Sequence, residues 1–253
     1  MPASHSENPR QGGSPTVARF GETHWSVIRS AMNKQRPGDA ADALESLCRV
    51  YWPPLYAYVR RLGESPHDAQ DLTQEFFARF LDKDYLAVVD EAKGRFRSFM
   101  LAALKHFLAN ERDKQRAQKR GGGRSFVPID FHNAESHCGF EPAQNVTPEV
   151  IFQRRWASAM LAQALARLRG EYAAAGKEAW FEQLKQTLTE GRGTIAYAAL
   201  AARLETSEAA VKMAVHRLRQ RYREAIRCEI AATVAHPSQI EDELREVLRA
   251  LGG

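Results

Sequence analysis

Apolar residues recur every three to four positions along most of this chain of 253 residues, a spacing that is typical of amphipathic α-helices. Sustained alternation of apolar and polar residues, which would indicate half-buried strands, is almost absent. The pattern therefore predicts an all-α fold. Residues 121–148 show no period, contain three consecutive glycines and several prolines, and predict a flexible linker between two helical domains.

The first half of the chain contains two well-marked helices. Apolar positions in residues 44–62 follow a helical rhythm, and the Pro53-Pro54 pair is expected to bend or interrupt that helix. The next helix has a clear start, because Ser65 can cap it and Pro66 suits its first position. Its acidic residues are spaced three and four apart and share one side: Asp68, Asp71 and Glu75.

A third helix, predicted over residues 96–120, carries much of the positive charge. Residues 93–124 contain ten Lys and Arg residues and two acidic ones, a local net charge of +8, whereas the whole chain carries +5. Clustered cations beside aromatic residues suit the phosphates and bases of single-stranded or melted DNA. The phenylalanines fall at helical spacing, so we assign most of them to the core and the cationic residues to nucleic-acid contacts.

Residues 195–226 predict a helix-turn-helix. A short helix is followed by a tight turn at residues 205–207, and Ser207 is the expected N-cap of a longer helix. The N-terminal part of such a second helix enters the major groove of DNA. Residues 203–227 contain seven Lys and Arg residues and three acidic ones. An ordinary helical hairpin with a solvated basic face is the alternative.

These patterns divide the chain into five segments. We expect a disordered leader (1–20), a first helical domain (21–120), the linker (121–148), a second helical domain (149–234) and an amphipathic C-terminal tail helix (235–253). The apolar positions of the tail helix are Ile240, Leu244, Val247, Leu248 and Leu251. This helix is expected to pack on the second domain, and the alternative is a regulatory contact.

Composition and motifs exclude several classes of protein. No apolar run approaches the roughly 20 residues that span a bilayer, and the three cysteines are too far apart for a CxxC pair. Both features favour a cytoplasmic protein without a membrane partner. Motifs of metalloproteases, P-loop enzymes, serine hydrolases and dinucleotide-binding enzymes are missing, and His132, His137 and Cys138 lack a fourth ligand at metal spacing. We therefore expect no enzymatic activity, cofactor or metal.

Taken together, these residues resemble the bacterial RNA polymerase sigma factors of the extracytoplasmic-function type, within the sigma-70 family. Residues 68–77 resemble the family signature Asp-Ala-Glu-Asp-Leu-x-Gln-Glu. Residues 94–99 resemble its Gly-x-Phe-Arg-x-Trp element, with Phe99 in place of the tryptophan. Residues 197–219 resemble its promoter-reading helix-turn-helix, and residues 23–123 are similar to a subgroup abundant in planctomycetes.

The resemblance implies a sigma factor that directs core polymerase to specific promoters and helps to open the minus-ten element. The two domains would be a sigma region-two bundle and a region-four helix-turn-helix domain. Core polymerase would bind Asp68, Asp71, Gln74 and Glu75. The minus-ten element would contact Arg95, Arg97, Lys105, His106, Asn110, Arg112 and Arg116. The minus-thirty-five element would contact Ser207, Glu208, Ala209, Lys212, Met213, His216, Arg217 and Arg219. An anti-sigma factor or another regulator would be a further partner.

Two other interpretations compete with this one. A stand-alone helix-turn-helix regulator of duplex DNA would explain the second domain, but it would leave the acidic helix and the basic helix without a role. A helical adaptor that binds only proteins would leave the net charge of +8 in residues 93–124 without a role.

Overall fold

The computed structural model describes residues 24–25, 37–81, 95–118, 146–189 and 196–252. Within these ranges every regular element is helical, which confirms the predicted all-α fold. The helices are α1 (Pro37–Arg61), α2 (Pro66–Phe80), α3 (Phe96–Gln118), α4 (Pro148–Ala174), α5 (Glu178–Leu184), α6 (Tyr197–Arg203), α7 (Glu208–Ala231) and α8 (Ile240–Gly252). Short 3-10 helices at Lys185–Leu188 and Pro237–Gln239 follow α5 and precede α8. None of these described helices could cross a membrane. The predicted leader and most of the predicted linker lie outside the described residues.

Three of the helices whose first turns are described begin at side-chain caps. The Ser65 hydroxyl accepts a hydrogen bond from the backbone N–H of Asp68 at 3.1 Å, and Pro66 occupies the first position of α2. Ser207 caps α7 in the same way. Thr147 caps α4. Each cap satisfies an N–H group that has no partner within its helix. The helix starts predicted at residues 65 and 207 are confirmed.

Helix α1 is continuous from Pro37 to Arg61, so Pro53-Pro54 bends it at most and the alternative of an interruption is wrong. A proline inside a helix costs about 3 kcal/mol, since it removes a backbone donor and crowds the preceding turn. Large side chains around the pair are buried and offset that cost, because each contributes about 1.5–3 kcal/mol. These side chains are Tyr51, Trp52, Leu55 and Tyr56. Trp52 also stacks on Tyr56, with ring centroids 5.0 Å apart.

In the described part of the chain, the larger of two hydrophobic cores lies among α1, α2 and α3, and it also takes in residues from beyond the predicted linker. Phe96 of α3 is at its centre, where it meets Trp25 edge-to-face at 4.8 Å and Tyr51 at 5.2 Å. The contributions from the C-terminal part of the chain are Phe152, Trp156, Ala157, Met160, Ile230 and Val247. The first and second halves of the chain therefore share one core in this structure.

The smaller core lies among α4, α5, α6 and α7. Its buried residues are Leu168, Phe181, Leu184, Ala201, Val211, Val215 and Leu218. The long helices α4 and α7 each contribute to both cores, with Phe152 and Leu168 of α4 on different ones. The predicted domain boundaries stay a prediction, and the structure adds that these two helices connect the cores.

The tail helix is present as α8, and it packs against α4 and α7. Val247 is buried in the larger core, whereas Leu248 is 67% exposed. One acidic residue, Glu243, lies on the buried side of α8 and is 0% exposed. The helix therefore packs on α4 and α7, as expected, and it also places a carboxylate in the protein interior.

Candidate nucleic-acid interface

The acidic helix α2 displays two of its predicted polymerase-binding residues. Asp68 and Asp71 are exposed. Asp68 accepts a hydrogen bond from the Ser65 hydroxyl at 2.6 Å, and Asp71 lies 3.7 Å from the Nδ1 atom of His67. Both carboxylates are therefore accessible to a basic partner.

Glu75 and Gln74 are more enclosed. Both are half-buried. Glu75 forms an ion pair with Arg79, whose guanidinium also binds Glu111 of α3 at 2.5 Å and lies 5.2 Å from the centre of the Phe107 ring. Burial works against ionisation of Glu111, but hydrogen bonds from Lys114 and Arg79 outweigh it and lower the pKa of this carboxyl. This network joins α2 to α3, so Glu75 has a structural role besides its predicted one.

The basic helix α3 begins with two arginines that face one carboxylate. The Arg97 side chain is 5% exposed and donates to Glu243 of α8 from its Nε atom at 2.5 Å. The Nε atom of Arg95 lies 2.9 Å from the same carboxylate. The guanidinium of Arg97 also lies 4.9 Å from the centre of the Trp156 ring. In this arrangement two of the predicted minus-ten contacts, Arg95 and Arg97, are already paired with a carboxylate of the protein itself.

Lys105 is engaged in a similar way by the first turn of α4. Its Nζ atom donates to Glu149 at 2.7 Å, and the Tyr58 hydroxyl donates to the same oxygen at 3.4 Å. The hydrogen bond from Lys105 is the main cause that lowers the pKa of Glu149, and it likewise raises the pKa of Lys105. This pair is exposed to solvent on both sides, so it is easily exchanged for other partners.

The remaining predicted minus-ten residues lie farther along α3. His106, Asn110 and Arg112 are exposed, and Arg112 lies 3.9 Å from Glu64. The Arg116 side chain lies outside the described residues. The aromatic residues of this helix are in the core, as expected, since Phe96 and Phe107 are buried. Up to residue 114, the last described side chain of α3, the exposed surface is therefore mostly polar and basic, and none of its phenylalanine side chains is exposed.

Helices α6 and α7 form the predicted helix-turn-helix, joined by residues 204–207. Ala201 of α6 packs with Val211 and Val215 of α7 in the smaller core, which fixes the angle between the two helices. Glu205 in the turn has a φ of 49°, in the left-handed region that favours glycine. The two helices and the short turn that the sequence predicts for this motif are present.

Most of the predicted minus-thirty-five residues lie on the open side of α7. Exposed positions are Ser207, Glu208, Ala209, Lys212, Met213, His216 and Arg217. Met213 is 57% exposed and adds an apolar side chain to this surface. Lys212 lies 3.7 Å from Glu208 and 5.5 Å from the centre of the Tyr197 ring. This surface can offer both hydrogen bonds and apolar contacts to base edges.

Arg219 differs from the other predicted minus-thirty-five residues. It is half-buried, and its Nε and Nη2 atoms donate to the backbone carbonyl of Thr187 at 3.1 and 2.6 Å. Its guanidinium thus ties α7 to the 3-10 helix after α5. A contact with DNA at this position stays a prediction, and the structure gives Arg219 a supporting role.

The two carboxylates that engage the basic helix, Glu149 and Glu243, are not among the predicted site residues. A signal for Glu243 was present, because it lies three residues after Ile240 and four before Val247, on the apolar stripe of the tail helix. A lone acid at such a position indicates a buried partner of opposite charge. Glu149 offers no such signal, because acidic residues are common in the first turn of any helix. Within the described residues, His, Cys, Asp and Glu side chains do not form a group of three that could hold a metal ion.

Comparison with known proteins identifies part of the chain. No curated protein and no solved structure matches it. Residues 47–118 match the family model described as Sigma-70 region 2. This segment contains most of α1 and all of α2 and α3, including the acidic helix and the basic helix. The match supports a sigma factor of the sigma-70 family.

Proposed function

We propose that this protein is a sigma factor of the extracytoplasmic-function type, which directs core RNA polymerase to specific promoters and helps to open the minus-ten element. The observation that carries the proposal is the region-two match over α1–α3, because those helices hold both the exposed acids and the basic surface. The helix-turn-helix of α6 and α7 adds a second DNA-binding surface. The planctomycete-like subgroup is part of the proposal.

Core polymerase would bind the acidic side of α2. Asp68 and Asp71 are exposed there, and a basic partner would gain from complementary charge at the interface. Gln74 and Glu75 lie beside them and are half-buried, so they would contribute at the edge of the contact. The site of action would be the cytoplasm, where polymerase and chromosomal DNA are found, and an anti-sigma factor could compete for the same surface.

Promoter DNA would contact α3 and α7. His106, Asn110 and Arg112 are exposed on α3 and would meet the minus-ten element directly. The N-terminal half of α7 would enter the major groove of the minus-thirty-five element, with Lys212 and His216 as base-reading residues. Two separate DNA contacts on one chain raise the affinity for promoters that carry both elements at the right spacing.

Run-off transcription with purified core polymerase tests this function. Genomic fragments, including the region upstream of the protein's own gene, would be transcribed with and without the full-length protein. Discrete start sites that depend on the protein would establish the sigma factor and define its promoters. If no fragment responds, and the protein alone shifts naked duplex DNA with sequence preference, it is a stand-alone regulator instead.

A further inference from the structure

The first turn of α3 and the C-terminal helix α8 meet at a buried ion cluster. Glu243 of α8 is fully buried, and both of its oxygens have partners. Its Oε1 atom accepts from the Nε atom of Arg97 at 2.5 Å, and its Oε2 atom lies 3.2 Å from Nη2 of Arg97 and 2.9 Å from Nε of Arg95. One carboxylate thus engages two arginines of the predicted minus-ten surface.

The cluster is a specific contact, because a buried carboxylate without cationic partners would be strongly unfavourable. The guanidinium of Arg97 is further enclosed by Trp156 of α4, whose ring centre lies 4.9 Å away. Glu246, one turn along α8 from Glu243, is half-buried and pairs with Arg249, and this pair, together with the nearby charges of Arg97 and Arg95, lowers the pKa of its carboxyl. Helix α8 therefore presents negative charge to the start of the basic helix.

Backbone hydrogen bonds fix the segment between α7 and α8 beside this ion cluster. The N–H of Phe96, in the first turn of α3, donates to the carbonyl of Thr233 at 3.2 Å. The N–H of His24 donates to the carbonyl of Ala232 at 2.7 Å. The connection from α7 to α8 thus covers the N-terminal end of α3, where unpaired N–H groups would otherwise be available to an anion.

A guanidinium binds carboxylate and phosphate with the same paired N–H geometry. Glu243 and a DNA phosphate would consequently compete for Arg95 and Arg97. The carboxylate and the phosphate cannot both occupy the position between the two guanidinium groups. Asp68 and Asp71 of α2 are exposed in the same structure. The surface proposed for polymerase is thus accessible while part of the surface proposed for DNA is occupied.

We propose that Glu243 acts as an internal substitute for a DNA phosphate, so that α8 must leave Arg95 and Arg97 before a DNA strand can bind them. In the free protein, Arg95 and Arg97 are then closed to DNA while the acidic side of α2 is open to polymerase. This inference rests on the proposed function in one respect, namely that the DNA is promoter DNA. The competition itself depends only on Glu243, Arg95 and Arg97.

The test compares full-length wild-type protein with Glu243→Gln and with the matched control Asp242→Asn. Both variants lose one negative charge from α8, but Asp242 is exposed and pairs with Arg245.

The measurement is the Kd for mixed-sequence single-stranded DNA over a range of salt concentrations. If about one wild-type molecule in ten is open, Glu243→Gln binds about tenfold more tightly. The slope of log K against log salt should be the same for both proteins, since each contacts the same phosphates once α8 is displaced. Asp242→Asn behaves as wild type.

Equal affinity of Glu243→Gln and wild type across the salt range would overturn the inference. Hydrogen exchange on the wild-type protein gives a test that needs no variant. Saturating single-stranded DNA should increase amide exchange in α8, because the helix is displaced, and unchanged protection of α8 would also overturn the inference.

A pull-down with core polymerase separates this inference from the proposed function. If wild type does not bind core polymerase but Glu243→Gln still binds single-stranded DNA more tightly, the proposed function fails and the competition stands. If wild type binds polymerase and starts transcription while Glu243→Gln shows no gain in DNA binding, the sigma-factor function stands and the competition fails.

Discussion

The guanidinium of Arg219 donates two hydrogen bonds to the backbone carbonyl of Thr187, at 3.1 and 2.6 Å. Arg219 lies on the helix that is proposed to read the minus-thirty-five element, yet this contact joins that helix to the 3-10 helix after α5. Thr187 is itself buried, so its carbonyl would lose a charged donor in a substitution of Arg219. The relationship separates residues that support the helix-turn-helix from residues that face DNA.

Arg219→Ala is expected to lower the free energy of unfolding by about 1.5–3 kcal/mol, the range for hydrogen bonds that involve a charged group. Specificity, measured as the ratio of affinities for promoter and random duplex, should be unchanged while the protein is folded. Thermal unfolding followed by circular dichroism and duplex titrations check both expectations. Arg223→Ala, at an exposed position of the same helix, is the control. Loss of specificity without loss of stability in Arg219→Ala would show that Arg219 reads DNA.

Lys212→Ala, in contrast to Arg219→Ala, is expected to lower DNA specificity and leave stability nearly unchanged. Lys212 is exposed near the N-terminal end of α7, and its ion pair with Glu208 is a surface pair of small energy. The free energy of unfolding should change by less than about 0.5 kcal/mol, whereas discrimination against a wrong base should fall by about 1–3 kcal/mol. Competition titrations with promoter and random duplexes measure the difference. An equal loss of affinity for both duplexes would limit Lys212 to phosphate contacts.

The turn between α6 and α7 places Glu205 at a φ of 49°. This left-handed conformation costs an L-residue about 1–2 kcal/mol but costs glycine little. Because glycine also loses more chain entropy on folding, we expect a net gain of about 0.5 kcal/mol in unfolding free energy for Glu205→Gly. Ala199→Gly, at an exposed position inside α6, should instead lose about 0.5–1 kcal/mol. Urea denaturation compares the two, and destabilisation by both would contradict the strained turn.

Local patterns predicted the helices well, because caps and apolar spacing act over a few residues. Ser65, Ser207 and the apolar stripe of α8 are examples. The continuity of α1 through Pro53 was not predictable, since it depends on the burial of aromatic side chains against helices distant in sequence. The same reason applies to the site. Spacing placed Arg97 on the basic helix, but its partner Glu243 lies 146 residues away along the chain.

The exposed carboxylate of Asp71 gives a direct test of the polymerase surface. Asp71→Lys should reduce retention by immobilised core polymerase at least about tenfold, because it places a like charge against a basic partner. Its unfolding free energy should stay within about 0.5 kcal/mol of wild type. Asp242→Lys makes the same change of charge on α8 and should be retained normally. Normal retention of folded Asp71→Lys would remove Asp71 from the interface.

The imidazole of His24 has its Nδ1 atom 3.3 Å from the Tyr51 hydroxyl oxygen and lies edge-to-face against Phe96. Burial disfavours the imidazolium and lowers the pKa of His24 from 6.5 to about 4. Between those pH values the unfolded chain binds a proton that the folded protein does not bind. Protonation therefore favours unfolding, and stability falls as the pH drops from about 6.5 toward 4, by at most about 1.4 kcal/mol per pH unit.

His24→Gln should flatten this part of the curve of unfolding free energy against pH. His216→Gln, at an exposed position of α7, is the matched control. Parallel curves for wild type and His24→Gln between pH 6.5 and 4.5 would show that His24 takes up its proton without unfolding.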